Sequence, residues 1–493
     1  MALGQLASAT GGQLSGDPHV RVSGLAYDSR QVAPGSLFAA LRGSTADGHR
    51  FLDDAVRRGA AAVLTEEAVS LPVPSIVVED GRAALARAAA AFFDHPSRQL
   101  PVIGITGTDG KTTTSFLVKA ILDAEGYQTG LIGTTGVRIA DEEVGAEARQ
   151  TTPESIDVQR HLRAMVDERI DYAILEATSH GLAMHRLNEI EFRIGAVTNI
   201  THEHLEYHGT IEAYRRAKAL LFERVARAGG AAILNVDDEG AMAMTPFTRG
   251  SSRVLTYSAQ GKRANLGASH IVTGLAGTRF DLQADHDSPR VVTMPLLGLF
   301  NVENALCALG VTLAAGVGID AGVEALRMAP AVPGRMVLVD EGQPFSVVVD
   351  YAHTPESLAK VLTLLRSLTV GGRIIVVFGS AGERDVEKRA LQGGVAARLA
   401  DVSYLTNEDP RNEDEEQILE QIAVGAKAMG AREGEQYFRI TDRREAIKAA
   451  FAQARPGDCV LLAGKGHEHS ILTADQRMPW DEQAIARELL RTM

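Results

Sequence analysis

An apolar stretch, Val102-Ile103-Gly104-Ile105-Thr106, runs through Gly107-Thr108-Asp109-Gly110 into Lys111-Thr112-Thr113-Thr114. This succession of strand, glycine turn and helix start constrains the fold more than any other segment. Glycine at 107 and 110 removes the Cβ atoms that would keep backbone N–H groups from curling around an anion, and the helix starting near Lys111 aims its positive end at the same spot. Lys111 would neutralise phosphate charge, and the Thr112 hydroxyl would hold Mg2+. The pattern is G-x-x-G-K-T, since the longer G-x-x-x-x-G-K-[ST] motif would need glycine where Ile105 stands. An ordinary glycine-containing turn is the competing reading. The preceding strand and the helix from Ser115 to Glu125, ended by Gly126, favour the phosphate cradle.

A chain of 493 residues exceeds what one core organises, so two to four domains are expected. Its 45% hydrophobic and 23% charged residues describe an ordinary soluble protein. The formal charge of −13 argues against general nucleic-acid binding, although local Arg and Lys can still hold an anionic substrate. Cys307 and Cys459 lie far apart in apolar surroundings and read as buried thiols of a reducing compartment. Residues 1–16 lack the basic flank and apolar core of a signal peptide, and the run 304–319 is too short and glycine-broken to cross a bilayer. No nucleic-acid or membrane partner is expected, the expected location is cytoplasmic, and monomer is the default assembly.

Short apolar strands alternate with helical segments, so the fold class is α/β with parallel sheets. Three units are expected. Residues 1–98 form a small α/β domain in which Val20 to Leu25 alternates like a strand and Asp28-Ser29-Arg30 makes a turn. Residues 99–333 form a parallel-sheet domain around the phosphate loop, entered after His95-Pro96-Ser97-Arg98. There, Thr151-Thr152-Pro153-Glu154 opens a helix, with Thr151 or Thr152 as its cap. Residues 334–493 form a Rossmann-like domain. Polar residues gather at strand C-termini, where such sheets bind ligands.

Glu176 ends the strand Tyr172-Ala173-Ile174-Leu175 and reads either as a Mg2+ ligand beside the phosphates or as a capping or surface glutamate; its place at a strand end favours the metal. The stretch Thr198 to Gly209 holds His202, His204 and His208 but neither cysteine nor His-Glu-x-x-His spacing, so a second magnesium position with His204 is favoured over zinc. Lys218 lies in a helical pattern, where a lone lysine is usually solvated. Asn301 and Asn304, one turn apart, suit an adenine edge or a helix cap. Arg335 at the second boundary and Asp350-Tyr351-Ala352-His353 after a strand add nucleotide contacts from a second domain. Arg384, Glu408-Asp409-Pro410-Arg411, Gly464 and Glu468 lie just past strands of the third unit. They read as a zwitterion clamp, the arginines for a carboxylate and Glu468 for an ammonium, or as a surface ion-pair network.

Taken in order, Gly107 to Thr113, Glu176-Ala177-Thr178-Ser179-His180, Glu203-His204 with Lys218, Asn301 to Asn304, Arg335 and Asp350 to His353 resemble the Mur ligase family, ATP-dependent amide-forming enzymes of peptidoglycan precursor synthesis. Thr151-Thr152-Pro153 and Asp409-Pro410-Arg411 resemble the members that add the third residue of the stem peptide. The resemblance implies an N-terminal UDP-binding domain, a central ATPase domain and a C-terminal Rossmann-like domain. It implies ATP and Mg2+ as cofactors, and UDP-N-acetylmuramoyl-L-alanyl-D-glutamate and a diamino acid as substrates joined through an acyl phosphate. Catalytic positions are then Lys111, Glu176, His204 and Lys218, with Lys218 carbamylated and, with Thr112, Glu176 and His204, facing the metal. ATP would meet Gly107, Thr108, Asp109, Gly110, Lys111, Thr112, Thr113, Asn301, Asn304, Arg335, Asp350 and His353. The UDP-sugar peptide would meet Ser29, Ser44, Thr45, Ala46, Thr151, Thr152, Thr178 and Arg186. The amino acid would meet Arg384, Glu408, Asp409, Pro410, Arg411, Gly464 and Glu468, with Arg411 marking enzymes that take meso-diaminopimelate.

Four departures from the family pattern stand out. Asp109 replaces Asn, Glu203 and Glu206 replace aspartates, Glu408-Asp409 replaces Asp-Asn, and Met184 replaces a glutamine. The added negative charge at 408–409 keeps L-lysine and L-ornithine as alternative acceptors. A folylpolyglutamate synthase-like ligase and a non-catalytic nucleotide switch are the remaining alternatives. The Asp28-Ser29-Arg30 segment argues against the first, and the Arg384, Arg411 and Glu468 rim against the second.

Overall fold

The computed structural model describes every residue except 44–46, 145–149, 202, 286 and 475, and only the backbone of Leu205 and Glu206. Ser44, Thr45 and Ala46 therefore lie outside the described residues. The chain forms two compact units. One comprises Met1–His270, Phe280–Val292 and Phe300–Ala329, the other Ile271–Arg279, Thr293–Leu299 and Pro330–Met493.

The first unit contains two sheets. The N-terminal one has five strands in the order Gln13–Ser15, Ser75–Val77, Ala62–Thr65, Ser36–Ala39, Gly24–Ala26, parallel except for the first pair. Of the alternating stretch 20–25, only its end enters this sheet, because Asp28 caps a 3-10 turn, Ser29–Gln31, directly afterwards. The larger sheet has eleven strands. Its centre is parallel, with Val102–Thr106 flanked by Tyr172–Glu176 and Phe192–Val197. All five residues of Val102–Thr106 are buried, as a strand covered on both faces requires. Ile156, on the helix Ser155–Asp167 after the phosphate-loop strand, packs into the core of the N-terminal sheet, and Tyr27 Oη donates to Asp157 Oδ2 at 3.1 Å. These contacts join the two sheets into one unit.

The helix Ser155–Asp167 departs from expectation. Glu154 stands at its N-cap without a side-chain cap, while the Thr152 hydroxyl donates to the Glu176 carbonyl at 2.8 Å. Thr152 serves the neighbouring strand end instead. The helix Ile211–Arg227, capped by Thr210, buries Tyr214, Ala217, Lys218, Leu221, Phe222 and Val225. That i, i+3, i+4 stripe includes Lys218, which overturns the solvated-lysine alternative.

The second unit is built on six strands in the order Val337–Val339, Ser346–Asp350, Cys459–Ala463, Ile374–Phe378, Val402–Leu405, Tyr437–Arg439, parallel except for the first. Helices Pro355–Leu368, Glu387–Leu399 and Glu415–Ala428 bury Leu358, Leu362, Ala396, Ile418 and Ile422 on one face. Helices Arg443–Gln453 and Glu482–Arg491 bury Ile447, Phe451 and Leu489 on the other. This is the doubly wound arrangement expected for 334–493. Cys307 and Cys459 are buried free thiols. Among the described residues, no helix is long and apolar enough to cross a membrane.

Candidate active site

The loop Gly107–Gly110 turns because both glycines adopt left-handed φ, 151° and 83°. A Cβ at Gly107 would collide with Thr198 Oγ1 and one at Gly110 with Asn304 Oδ1. Neighbouring strand ends brace the turn: Asn199 accepts from Thr108 N (2.7 Å) and Asp109 N (2.9 Å), and Thr198 Oγ1 donates to Asp109 O at 2.6 Å. Asn304 Oδ1 accepts from Thr114 Oγ1, and its amide nitrogen donates to Asn301 Oδ1 at 3.0 Å. Both asparagines are buried inside the helix Leu299–Ala314, so neither caps it. Thr113 is buried in the first turn of Lys111–Ala124.

Lys111 folds back over the loop. Its Nζ donates to the carbonyls of Gly107 (2.9 Å) and Thr108 (2.8 Å). The Lys218 ammonium reaches the Gly107 carbonyl at 2.7 Å, 4.6 Å from the Tyr214 ring centroid, and Lys218 is 1% exposed. Burial, and secondarily the charge of Lys111, holds its pKa well below the ordinary lysine value. Tyr214 Oη hydrogen-bonds Thr108 Oγ1 at 3.1 Å and approaches Glu203 Oε2 at 3.5 Å. His204, in a left-handed conformation at φ 56°, lies 3.7 Å from Glu203 and packs edge-on against the His180 ring, centroids 4.7 Å apart. His208 packs against Tyr214 in the same aromatic cluster.

Glu176 is fully buried at its strand end. Its carboxylate accepts from Thr112 Oγ1 (3.0 Å), Thr134 Oγ1 (3.0 Å) and Thr134 N (3.0 Å), all neutral donors. Among the described residues, it forms no ion pair. A buried carboxylate with hydroxyl partners, adjoining a loop that leaves no room for Cβ atoms, fits a hard divalent cation beside a phosphate. Among the described residues, no three His, Cys, Asp or Glu side chains gather into a metal-holding group by themselves.

Hydroxyls continue outward from Glu176. Thr134 Oγ1 meets Thr151 Oγ1 at 3.1 Å, and Thr152 Oγ1 meets Thr178 Oγ1 at 2.9 Å, while Thr178 caps the short helix Ser179–Ala183. The buried Arg186 guanidinium donates to Thr152 O at 3.0 Å and pairs with Glu154 at 2.9 Å, and Arg82 approaches Glu154 at 3.3 Å. Arg186 thus supports the threonine segment from behind. Ser29 is buried on the N-terminal 3-10 turn.

In the second unit, Asp350 ends its strand buried and accepts from Met336 N and Ala352 N, each at 2.8 Å, burial raising its pKa. Arg335 lies over the Tyr351 ring at 5.2 Å, and the rings of His353 and His467 pack against it at 4.6 and 4.8 Å. Lys465, fully buried, bridges Asp409 (2.9 Å) and Glu468 (2.6 Å). The charge added by Asp409 is therefore paired within the protein, through an ammonium that it shares with Glu468. Glu408 is buried, its Oε2 without a hydrogen bond among the described residues; a Cβ at Gly464, where φ is 103°, would lie 3.0 Å from that oxygen. Arg384 is exposed, and the Arg411 guanidinium makes no hydrogen bond or ion pair among the described residues. Pro410 precedes Arg411, whose φ of 53° turns the loop.

Thr134, Thr198, Asn199, Tyr214 and Lys465 escaped assignment from sequence. Thr and Asn at strand ends carry no pattern of their own, Tyr214 reads as core, and only the glycines around Lys465 mark it as unusual.

Three family descriptions match the chain: the Mur ligase family catalytic domain at 21–99, the Mur ligase middle domain at 105–312, and the Mur ligase glutamate ligase domain at 334–466. A UDP-N-acetylmuramyl-tripeptide synthetase of Roseiflexus sp. (strain RS-1) is 45% identical over 95% of this chain and 94% of its own length. A UDP-N-acetylmuramoyl-L-alanyl-D-glutamate--2,6-diaminopimelate ligase of Geobacillus kaustophilus is 41% identical over 95% and 94%. A solved structure of a ligase with that same description superposes with a TM-score of 0.69 at 31% identity, covering 100% of this chain and 99% of that one. With this similarity running through all three sheets and the braced phosphate loop, the chain belongs to the Mur ligase family.

Proposed function

We propose that this chain is an ATP-dependent ligase that joins meso-diaminopimelate to the D-glutamyl carboxylate of UDP-N-acetylmuramoyl-L-alanyl-D-glutamate. The observation that carries the acceptor is Arg411, a guanidinium with no protein partner among the described residues, close in the chain to Asp409, which pairs with Lys465, and to the buried Glu408. A second carboxylate, absent from L-lysine and L-ornithine, suits a free guanidinium fork. The Geobacillus relative supports the same acceptor through its description, and the Roseiflexus relative a tripeptide product without naming the acceptor.

The chemistry follows from what an amine cannot do, which is displace oxide from a carboxylate. A carboxylate oxygen first attacks the γ-phosphorus of ATP and ADP leaves; the acceptor nitrogen, after losing a proton, then attacks the acyl carbon and inorganic phosphate leaves. The phosphate loop and Lys111 orient and neutralise the phosphates. Glu176, His204 and Thr112, with carbamylated Lys218, would hold Mg2+, which would supply further positive charge at the transferring phosphoryl group. Lys218 suits the carbamate because burial favours its neutral amine, which can add to CO2 with release of one proton. Thr151, Thr152 and Thr178, supported by Arg186, are the side chains for the glutamyl end, and Ser29 with the loop 44–46 for the UDP end. Boundaries near residues 98 and 333, a monomeric state and a cytoplasmic location belong to the same reading.

The product tests it. Purified protein with ATP, Mg2+ and the UDP-sugar dipeptide should yield a species heavier by one acceptor residue when meso-diaminopimelate is present, and not with L-lysine or L-ornithine. Mass spectrometry showing product with lysine alone would reassign the acceptor; no product with any would overturn the ligase reading.

A further inference from the structure

Two loops carry the acceptor residues assigned above: 406–411, leaving the strand Val402–Leu405, and 464–468, leaving the strand Cys459–Ala463. These strands are separated in the sheet by Ile374–Phe378, so no ladder hydrogen bonds hold their ends together. Side chains do. Arg443, the first residue of the helix Arg443–Gln453, donates from Nη1 to the carbonyl of Asn407 at 3.1 Å and from Nη2 to that of Ala463 at 2.8 Å. Its remaining fork pairs with Glu482, Nε at 3.0 Å and Nη2 at 2.6 Å, and Glu482 also accepts from Trp480 Nε1 at 2.6 Å. Arg443 is 2% exposed and Glu482 1%. Thr441, two residues earlier, accepts from Thr406 Oγ1 and Asn407 N.

We propose that Arg443 is the positioning residue of the acceptor pocket: its guanidinium ties the residue before Glu408 to the residue before Gly464 and so fixes the separation of the two loops. Lys465 makes the same connection through carboxylates, Asp409 on one loop and Glu468 on the other. The loops are thus cross-linked twice, by backbone carbonyls below and by charged side chains at the pocket. Such a bridge needs a planar fork with several fixed donors, which a lysine does not offer. A buried ion pair contributes little net stability against apolar replacement, so a specific geometric task accounts for its presence here. Adjacent Arg444 makes the contrast, since it lies at the surface and pairs with Glu488.

The proposal takes from the ligase reading only the identity of the ligand these loops hold. The test uses the full chain as wild type, as Arg443→Lys, and as the double variant Arg443→Met with Glu482→Leu, whose apolar pair removes the bridge without stranding a buried charge. Hydrogen exchange should quicken at least about tenfold in 406–411 and 464–468 in each folded variant, while the strands Ser346–Asp350 and Ile374–Phe378 keep their protection. The KM for meso-diaminopimelate should rise about tenfold, with the KM values for ATP and the UDP-sugar dipeptide and the kcat changed by less than about threefold. Unchanged loop exchange in the double variant, or a uniform loss of kcat with an unchanged acceptor KM, would overturn the positioning role. Wild-type protein without acceptor-dependent turnover would instead overturn the ligase reading, and loop exchange would still decide the role of Arg443.

Discussion

Lys111 and Lys218 converge on one acceptor, the carbonyl oxygen of Gly107, at 2.9 and 2.7 Å. Two ammonium groups on a single carbonyl repel each other, and the buried one yields. Its depressed pKa follows from burial first and from Lys111 second. A carbamate at Lys218 turns this repulsion into attraction, which links the geometry of the loop to the proposed modification.

Replacing Lys218 by Ala removes the modified group but leaves the glycine cradle and Lys111 intact. Ligation is expected to fall by at least about a hundredfold, some 3 kcal/mol of transition-state stabilisation. ATP affinity, measured by calorimetry, should stay within about threefold, because phosphate contacts come from the loop. Wild-type protein in 13C-bicarbonate should show a carbamate resonance that the variant lacks. Unchanged turnover would contradict the role.

Thr134 holds Glu176 through both its amide and its hydroxyl. Thr134→Val keeps the shape and the amide bond but loses the hydroxyl. The Mg2+ concentration for half-maximal ATP binding should rise about tenfold, as for other residues that orient a metal ligand. Thr135→Val, at a hydroxyl with no partner among the described residues, is the control and should leave it unchanged.

Arg411→Ala should raise the KM for meso-diaminopimelate by about a hundredfold, the worth of about 3 kcal/mol for a bidentate charge-assisted pair. The KM values for ATP and the UDP-sugar dipeptide should change by less than about threefold, since neither is assigned to this guanidinium. Equal rises for all three substrates would remove Arg411 from acceptor selection.

Acid stability follows from His467. Burial, then the nearby charges of Arg335, His469, Lys465 and His353, pushes its pKa down to about 4. The unfolded chain therefore binds this proton first, near its ordinary pKa of about 6.5. Stability contributed by neutral His467 is complete above that value and is lost as pH falls toward 4, by up to about 3 kcal/mol. His467→Phe should flatten the fall of Tm between pH 6.5 and 4; an identical slope would assign the acid sensitivity elsewhere.

The parallel strands and the phosphate loop were legible because continuous apolar runs and glycines at fixed offsets have few structural alternatives. Glu176 and Asn304 stood out as polar residues in otherwise apolar or helical contexts, Lys218 only through the family resemblance, and all three prove buried beside the loop. The Thr152 cap was misjudged because a threonine before a proline caps a helix or serves a neighbouring strand equally well, and only the proximity of the Glu176 carbonyl decides. Arg443 was invisible for a related reason. Two arginines opening a helix look alike in sequence, yet one is sealed beneath the sheet and the other is solvated. Whether a charge pairs within the protein or is left for a ligand depends on how the loop folds, as for Glu468, paired with Lys465 three residues earlier, against Arg411.

The central claim is an acyl phosphate formed on the D-glutamyl carboxylate. Its most direct test labels both oxygens of that carboxylate with 18O and follows inorganic phosphate released with ATP, Mg2+ and meso-diaminopimelate. The account predicts one 18O atom in each phosphate released, with release dependent on the acceptor. Unlabelled phosphate, released at the same rate without acceptor, would contradict it.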